Sequence, residues 1–208
     1  MNNFLRLILG NTYIKFFSYL VKILLKLKGI KIGKNFICDT FPKIIFIGES
    51  NEIVIGDNVT FFGEVELRCY NKSSILISHD CKIDKLVRII AAKSSDVKIG
   101  SKTEIGAYSI LNCGSKLTIG EKTMISSKVL IQLSEHNIKK DIPVKEQGNK
   151  YNEMIIGNDV LIGTKSTILM GSKLNNGCII GANTLIKTEV GSNQIFVGIP
   201  GKMIGIRE

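Results

Sequence analysis

The feature that most constrains the fold of this chain is a six-residue pattern that recurs from about residue 30 onwards. An aliphatic residue is followed by a glycine, alanine or acidic residue, then by two variable positions and a small residue or valine. Strict matches begin at Ile55, Ile83, Ile90, Ile99, Ile105, Ile119, Ile156, Ile162 and Ile180. Neither the 3.6-residue period of a helix nor the two-residue period of a strand produces this spacing. A period of six within a period of eighteen predicts stacked triangular coils, each made of three short strands.

The interior of such a prism is narrow, and the residues between the aliphatic positions suit it. Small residues stand at the expected inward positions Ser109, Thr123, Ser166 and Thr184. The repeat also slips in phase: Ile83 and Ile90 cannot both be in register, and residues 61–95 fit it poorly. Short insertions at the corners would explain these slips. The sequence therefore predicts an all-β, parallel β-helix over residues 30–197. Its coils are expected to be left-handed, because this hexapeptide repeat is associated with that exception to the usual right-handed rule.

The first 29 residues have a different character and are expected to form a helical segment. Between residues 4 and 28 the sequence is FLRLILGNTYIKFFSYLVKILLKLK, with five basic residues and no acidic residue before Asp39. Basic residues interrupt every apolar run before it reaches the roughly 18–20 residues of a membrane-spanning helix. A basic amphipathic helix that lies on an anionic membrane surface is one interpretation. The other is a helix packed against the end of the main domain or against a partner subunit.

Composition narrows the cellular setting and the class of partner. The formal net charge of +10 suggests a polyanionic partner, but the basic residues are dispersed and no nucleic-acid-binding motif is present, so no nucleic acid is expected. The five cysteines form no CxxC pair, which predicts reduced thiols in a cytoplasmic protein. With only two histidines, no metal site is expected. A peripheral position at the inner membrane, through residues 4–28, stays open.

One long polar segment, residues 132–153, interrupts the repeat and is predicted to be the catalytic loop. His136 lies at the root of this loop. A hydroxyl that acts as a nucleophile needs a general base at neutral pH, and histidine has the intrinsic pKa for that task. Glu135 is adjacent in sequence but receives no role, because neighbours in an extended segment usually point apart.

The sequence from Ile155 to Arg207, which includes IGNDVLIGTKSTILMGSKLNNGCIIGANTLIKTEV and GIPGKMIGIRE, resembles the hexapeptide-repeat O-acetyltransferases. The likeness is good over residues 95–208 and loose over 30–95. It implies that acetyl-CoA is the donor and that His136 is the general base for direct attack of the acceptor on the thioester. It also implies that the backbone N–H of Thr164 faces the developing oxyanion. A further implication is a homotrimer with the cofactor between subunits.

The same resemblance assigns positions that contact the cofactor, some of them in a C-terminal tail at residues 198–208. These positions are Gly163, Thr164, Gly181, Ala182, Lys187, Pro200, Lys202 and Arg207. Two features depart from the family pattern. The family often has tryptophan where this chain has Leu161, and its usual Thr-Lys pair stands here in reverse order as Lys187 and Thr188.

The expected activity is O-acetylation of a cell-surface glycan sugar, such as a sialic acid of capsule or lipooligosaccharide. The alternative is N-acetylation of a nucleotide-linked amino sugar, which uses the same fold and cofactor. A zinc hydratase built on such a prism would need three histidine ligands, and this chain has only His79 and His136. A purely structural β-helix would have no use for the loop at residues 132–153.

Overall fold

The computed structural model describes the backbone of residues 2–208 and the side chains of residues 12–208. Helix α1 spans Asn2–Leu27 and is interrupted at Gly10, whose φ of 50° and ψ of −132° are not helical. Twenty-six strands, β1 to β26, follow in the described part of the chain. A 3-10 turn, Val144–Glu146, lies within the long loop.

The strands form three parallel sheets, which are the three faces of a prism, and one hairpin outside it. The first face contains β1 (Lys31–Ile32), β4 (Glu52–Ile55), β7 (Ser74–Ile77), β10 (Asp96–Ile99), β13 (Leu117–Ile119), β18 (Met154–Ile156), β21 (Lys173–Leu174) and β24 (Glu189–Val190). The second face contains β2 (Ile37–Cys38), β5 (Thr60–Phe61), β8 (Lys82–Ile83), β11 (Glu104–Ile105), β14 (Met124–Ile125), β19 (Leu161–Ile162), β22 (Ile179–Ile180), β25 (Gln194–Val197) and β26 (Lys202–Ile206). The third face contains β3 (Lys43–Ile47), β6 (Glu66–Tyr70), β9 (Arg88–Ala91), β12 (Ile110–Cys113), β15 (Leu130–Gln132), β20 (Thr167–Leu169) and β23 (Leu185–Ile186). The separate hairpin is β16 (Ser134–His136) with β17 (Asn149–Tyr151).

Each strand pairs with the equivalent strand of the coils before and after it, so the chain winds through seven complete coils and two strands of an eighth. The predicted left-handed parallel β-helix with an N-terminal helical segment is confirmed. We call the corner from the first to the second face the first edge, the next corner the second edge, and the corner that returns to the first face the third edge.

The first and second edges have the same length in every coil, whereas the length of the third edge varies. The inward residues Ile55, Phe61 and Leu67 lie six apart, and the same step recurs in the coils that follow. The return step across the third edge takes ten residues at 67–77, six at 168–174 and four at 186–190. Only one coil therefore has the predicted eighteen residues. The expected corner insertions are present, and all of them lie on the third edge.

The interior is a column of aliphatic side chains closed by small hydroxyl residues. Ile83 is buried and Ile90 faces outward, so the match at Ile90 is fortuitous. Ser109 and Thr123 are fully buried, and each donates its hydroxyl to a backbone carbonyl of the next coil at 2.9 Å. Buried polar groups need such partners. The hydroxyl positions therefore tie coils together inside the apolar core.

The outer surface of the third face carries an ion-pair cluster in the early coils. The Glu66 side chain is only 8% exposed and contacts Lys43 at 3.0 Å, Arg68 at 2.5 Å and Arg88 at 3.4 Å. Burial raises the pKa of Glu66, but the Lys43 hydrogen bond and the three positive charges outweigh it and hold that pKa below its usual range. The cluster links strands of three successive coils.

Helix α1 covers the open end of the prism with one of its faces. Val21 and Leu25 are buried against the first coil, and Ser18 exchanges hydrogen bonds with the backbone of Cys38 at 2.9 and 3.0 Å. The side chain of Lys22 donates to the Gly33 carbonyl. No helix of the described residues is both long enough and apolar enough to cross a membrane. Packing against the end of the main domain, one of the two interpretations left open, is therefore observed for this face.

Candidate active site

A groove of about 380 Å³ runs along the second edge. Its walls come from the corner residues of five coils and include Phe62, Asp84, Gly106, Ser126 and Thr164. Every coil contributes backbone here, because the chain turns at this edge once per coil. An elongated ligand can therefore contact several coils at once.

Three backbone N–H groups on the first edge are satisfied by side chains of the next coil. The N–H of Lys34 donates to the Asp57 carboxylate at 2.5 Å. The N–H of Glu121 donates to Asn158, and that of Asn158 to Asn176, each at 2.8 Å. Asparagine and aspartate side chains thus occupy these three N–H groups, which are not available to a ligand.

On the second edge, the N–H groups of Gly63 and Lys85 in the early coils donate to the carboxylates of Asp39 and Asp84 at 2.5 and 2.7 Å, whereas later coils have open N–H groups. Among the described residues, the N–H groups of Ser127, Thr164 and Ala182 have no acceptor. Ala182 cannot supply the side-chain oxygen that Asn176 supplies on the first edge. Unsatisfied backbone donors in a row are suited to bind carbonyl or anionic oxygens of a ligand. The later coils of the second edge combine these open N–H groups with the groove, which makes the second edge the candidate ligand-binding edge.

The structure brings most of the predicted cofactor residues to this edge. Gly163 donates to the Ile180 carbonyl at 2.7 Å, and Thr164 accepts from the Asn183 N–H at 2.9 Å, so coils six and seven stack directly. A Cβ at Gly163 would lie 2.5 Å from the Ala182 nitrogen. Glycine is therefore required here by the close approach of the backbones alone.

The C-terminal tail continues the second edge beyond the last complete coil. Val197 lies over Gly181, and the following turn is held by hydrogen bonds of Gly198 and Gly201 with Leu185 at 3.0 and 2.8 Å. Strand β26 then returns antiparallel to β25. The predicted contacts Pro200 and Lys202 are exposed at this end of the edge.

Two predicted cofactor residues lie on other edges, each in an ion pair within the chain. Lys187 is on the third edge, with its Nζ 2.7 Å from Glu135 Oε1. Arg207 lies near the first edge, with its guanidinium 2.8 Å from Asp159 Oδ2. Neither residue joins the second-edge groove of its own chain.

His136 is the last residue of β16, at the root of the long loop on the third edge, where it pairs with Asn149. Its side chain is exposed, and no hydrogen bond of the imidazole is found within the described residues. The imidazole is therefore accessible to a substrate. The loop beyond it is folded by its own contacts, since the Gln147 side chain bonds to the backbone of Lys139 and Ile142.

The root of the loop is anchored by residues that the sequence analysis did not assign. Glu135 bridges Lys187 of coil seven and Lys150 of β17, and the Lys187 hydrogen bond lowers the pKa of Glu135. Tyr151 lies against Gly114 with the Lys93 ammonium 4.4 Å from its ring centroid, and a Lys93 hydrogen bond lowers its pKa. The hairpin is thus held on both sides, which fixes the position of His136.

A chain of amides leads along the outer surface of the third face to the loop root. Asn112 donates to the Gln132 side chain at 2.9 Å, and Gln132 donates to the Ser134 hydroxyl at 2.6 Å. Alternation along β12 and β15 could have placed Asn112 and Gln132 on this outer surface. No sequence signal pairs Lys93 with Tyr151, which are far apart in the chain.

His136 and Thr164 do not share a site within one chain. Thr164 is on the second edge, His136 is beyond the third edge, and the whole width of the third face, including β20, lies between them. The proposed base and the open N–H groups can therefore meet only across two copies of the prism, if they act on one substrate. The neighbouring loop surface carries exposed apolar side chains at Ile138, Ile142 and Val144.

Comparisons with known proteins place this geometry in context. No protein-family model matches the chain. WbbJ of Escherichia coli, named for O-acetyl transfer in lipopolysaccharide biosynthesis, is 25% identical over 76% of this chain and 74% of its own length. A protein of Mycobacterium tuberculosis named as an acetyltransferase is 26% identical over 57% of this chain but only 40% of its own length.

Solved structures share the fold. A crystal structure of AntD, an N-acyltransferase from Bacillus cereus, in complex with dTDP-4-amino-4,6-dideoxyglucose and coenzyme A, matches 90% of this chain and 89% of AntD with a TM-score of 0.65 at 22% identity. The polySia-specific acetyltransferase NeuO matches 86% of this chain and 87% of its own with a TM-score of 0.52 at 23% identity. The repeat, the β-helix and these relatives confirm that the chain resembles the hexapeptide-repeat acetyltransferases in sequence and in fold.

Proposed function

We propose that this chain is an acetyl-CoA-dependent O-acetyltransferase that acetylates a hydroxyl of a cell-surface glycan sugar. The observation that carries the proposal is the row of open N–H groups on the second edge, at the positions the family resemblance assigns to the cofactor. The accessible imidazole of His136 supplies a base for the acceptor. Names of relatives support acetyl transfer, and the coenzyme A complexes of AntD support acetyl-CoA as donor.

The donor would lie along the second edge with its pantetheine arm against Gly163, Gly181 and Ala182. The N–H groups of Thr164 and Ala182 have no acceptor among the described residues, so they can bind carbonyl oxygens of the arm and of the thioester. Pro200 and Lys202, on the exposed turn and strand that follow, would meet the nucleotide end, where the lysine offers charge to phosphate.

The chemical step would use one base and one oxyanion donor. His136 would accept the proton of the acceptor hydroxyl while that oxygen attacks the thioester carbonyl carbon. The Thr164 N–H would donate to the oxyanion, a contribution typically of about 3 kcal/mol to the barrier. Collapse would expel the coenzyme A thiolate, which would take up the proton from the imidazolium of His136. No acyl-enzyme is required.

The site would be completed by a second subunit, and we propose a homotrimer. His136 of one copy would face the second edge of its neighbour, because the third face separates the two positions within a chain. Lys187 and Arg207, engaged with Glu135 and Asp159, would then contact the donor only from a neighbouring copy or after exchange of partners.

The second candidate function is N-acetylation of the amino group of a nucleotide-linked sugar, and one observation favours it. AntD, which aligns over most of this chain, is an N-acyltransferase and was crystallised with a nucleotide-linked amino sugar. The two candidates differ in the acetylated atom. Mass spectrometry of the product, followed by mild alkali, separates them because alkali removes an O-acetyl group and leaves an N-acetyl group.

Subunit complementation tests both the residues and the shared site. His136→Ala removes the base, and Ala182→Arg fills the second edge at an exposed position. Each variant alone should lose at least about 100-fold in transfer to a panel of surface sugars. Co-expressed in equal amounts, they should recover about a quarter of wild-type activity, since a random trimer rebuilds that share of intact sites.

Matched controls separate this outcome from misfolding. His79→Ala changes the other histidine, which is exposed on the first edge beside Asp80, and should keep full activity. Wild-type turnover by His136→Ala would refute the base assignment. Two correctly assembled but inactive variants that stay inactive when mixed would refute the site between subunits.

A further inference from the structure

Helix α1 presents a second apolar face, opposite the one that covers the prism. Its exposed members are Phe16 at 62%, Leu20 at 42%, Ile23 at 40%, Leu24 at 49% and Leu27 at 79%. Their spacing of three and four residues places them along one side of the helix. An isolated surface leucine is ordinary, but a continuous stripe of this kind marks an interaction surface.

The charges beside this stripe have one sign. Lys15 and Lys26 lie on one flank, eleven residues apart, and Lys28 lies just beyond the helix end; Lys22, between them, donates to the Gly33 carbonyl. No acidic residue precedes Asp39 in the chain. Tyr19, 62% exposed, lies between the lysine flank and the apolar stripe. Such an arrangement is typical of helices that lie in the plane of an anionic membrane interface.

We propose that the outward face of α1, the stripe defined by Phe16, Leu20, Ile23, Leu24 and Leu27, docks this protein on an anionic lipid bilayer. The sequence alone left membrane contact and domain packing as alternatives. In the structure one face of the helix packs on the prism and the other is exposed, so both contacts are compatible. A second copy of the chain is disfavoured as the occupant, since two such helices would bring only positive charges together.

The position of α1 also sets the orientation of the protein. The helix covers coil one, whereas Thr164 and Ala182 belong to coils six and seven. With about 4.8 Å between coils, the candidate active site would stand roughly 25 Å above the membrane surface. The prism axis would be directed away from the bilayer. This geometry does not depend on the reaction proposed above.

Vesicle co-sedimentation of the full chain tests the proposal. We expect binding to phosphatidylcholine vesicles that contain phosphatidylglycerol, and at least tenfold weaker binding to pure phosphatidylcholine. Phe16→Ser with Leu27→Ser should reduce binding to the anionic vesicles by at least about tenfold, because both side chains lose apolar area. Lys15→Gln with Lys26→Gln should reduce it by about tenfold at low salt.

The control variant removes apolar area of similar exposure elsewhere: Ile155→Ser with Ile204→Ser should bind as wild type. No binding to anionic vesicles, or binding that the Phe16 and Leu27 changes leave intact, would overturn the proposal. So would a change of oligomeric state in that variant, measured by light scattering, without a change in vesicle binding. The last result would assign the stripe to a second copy of the chain.

Discussion

The close stacking of coils at the second edge predicts that Gly163→Ala is destabilising. Gly163 does not have a positive φ, so its backbone would accept alanine. The new Cβ, however, would lie 2.5 Å from the nitrogen of Ala182, 2.7 Å from the carbonyl carbon of Gly181 and 2.8 Å from the oxygen of Ile180. All three are backbone atoms, which cannot rotate away.

The magnitude follows from the displacement that this methyl group forces. Ordinary contact requires about 3.4 Å or more, so coils six and seven must separate locally by close to 1 Å. Overpacking of this kind costs about 1–3 kcal/mol, and the smaller entropy of the unfolded alanine chain returns roughly 0.5 kcal/mol. We expect a net loss of about 1.5 kcal/mol, which corresponds to a fall in Tm of about 3–6 °C.

Calorimetry of the variant beside Gly205→Ala tests this reasoning. Gly205 has no atom within 4 Å of its Cβ position and lies in the tail, so its replacement should leave the Tm unchanged within about 1 °C. If Gly163→Ala melts with the control, the coils separate more easily than the contact distances imply. Glycine at this position would then have to be explained by ligand binding alone.

Three further outcomes follow from the ion pairs and the buried thiols. The Lys43 hydrogen bond and neighbouring charges outweigh burial and lower the pKa of Glu66 in the folded protein. The ionised Glu66 therefore stabilises the fold above the unfolded-state pKa of about 4.3, and this contribution is lost as the pH falls through the lower, folded pKa. Glu66→Gln should therefore reduce the free energy of unfolding, measured by urea denaturation, by about 2 kcal/mol at pH 7 and by less at pH 3. Equal losses at both pH values would contradict this. Lys187→Met frees Glu135 and should speed proteolysis of the long loop several-fold with little change in Tm; unchanged cleavage would show that the pair does not anchor the loop. Burial raises the pKa of Cys69 to about 12, and all five cysteines are buried and free, so a thiol reagent at pH 8 should label none until denaturant is added.

The repeat predicted the architecture because every hexapeptide forms the same local structure, a short strand with an inward aliphatic residue followed by a corner. The pattern is clearest in the residues from Ile156 to Leu174, where the coil has the predicted length of eighteen residues. The earlier coils were harder to see because extra residues on the third edge displace the next match. Ile90 entered the pattern by chance and faces outward.

The candidate site was predicted where its residues occupy repeat positions, and missed where contacts join distant segments. Gly163, Thr164, Gly181 and Ala182 fall on one edge, as their places in successive hexapeptides require. The pairing of Glu135 with Lys187 depends on how the loop folds back, and no local pattern encodes it. Roles for His136 and the donor-contacting residues stay predictions until the variants above are measured.

The coils vary in length only at the third edge. The first and second edges are therefore a constant part of the molecule, and the third edge is a part that can be replaced. The first and second edges keep a six-residue step throughout, so the donor groove is built from a scaffold of fixed dimensions. The third edge tolerates anything from a bare corner to the long segment at 133–153. Grafting a foreign segment between Asn137 and Gly148, which keeps the β16–β17 hairpin and His136, should therefore be the least disruptive route to a new acceptor preference, since neither the coil stack nor the donor groove needs to be redesigned.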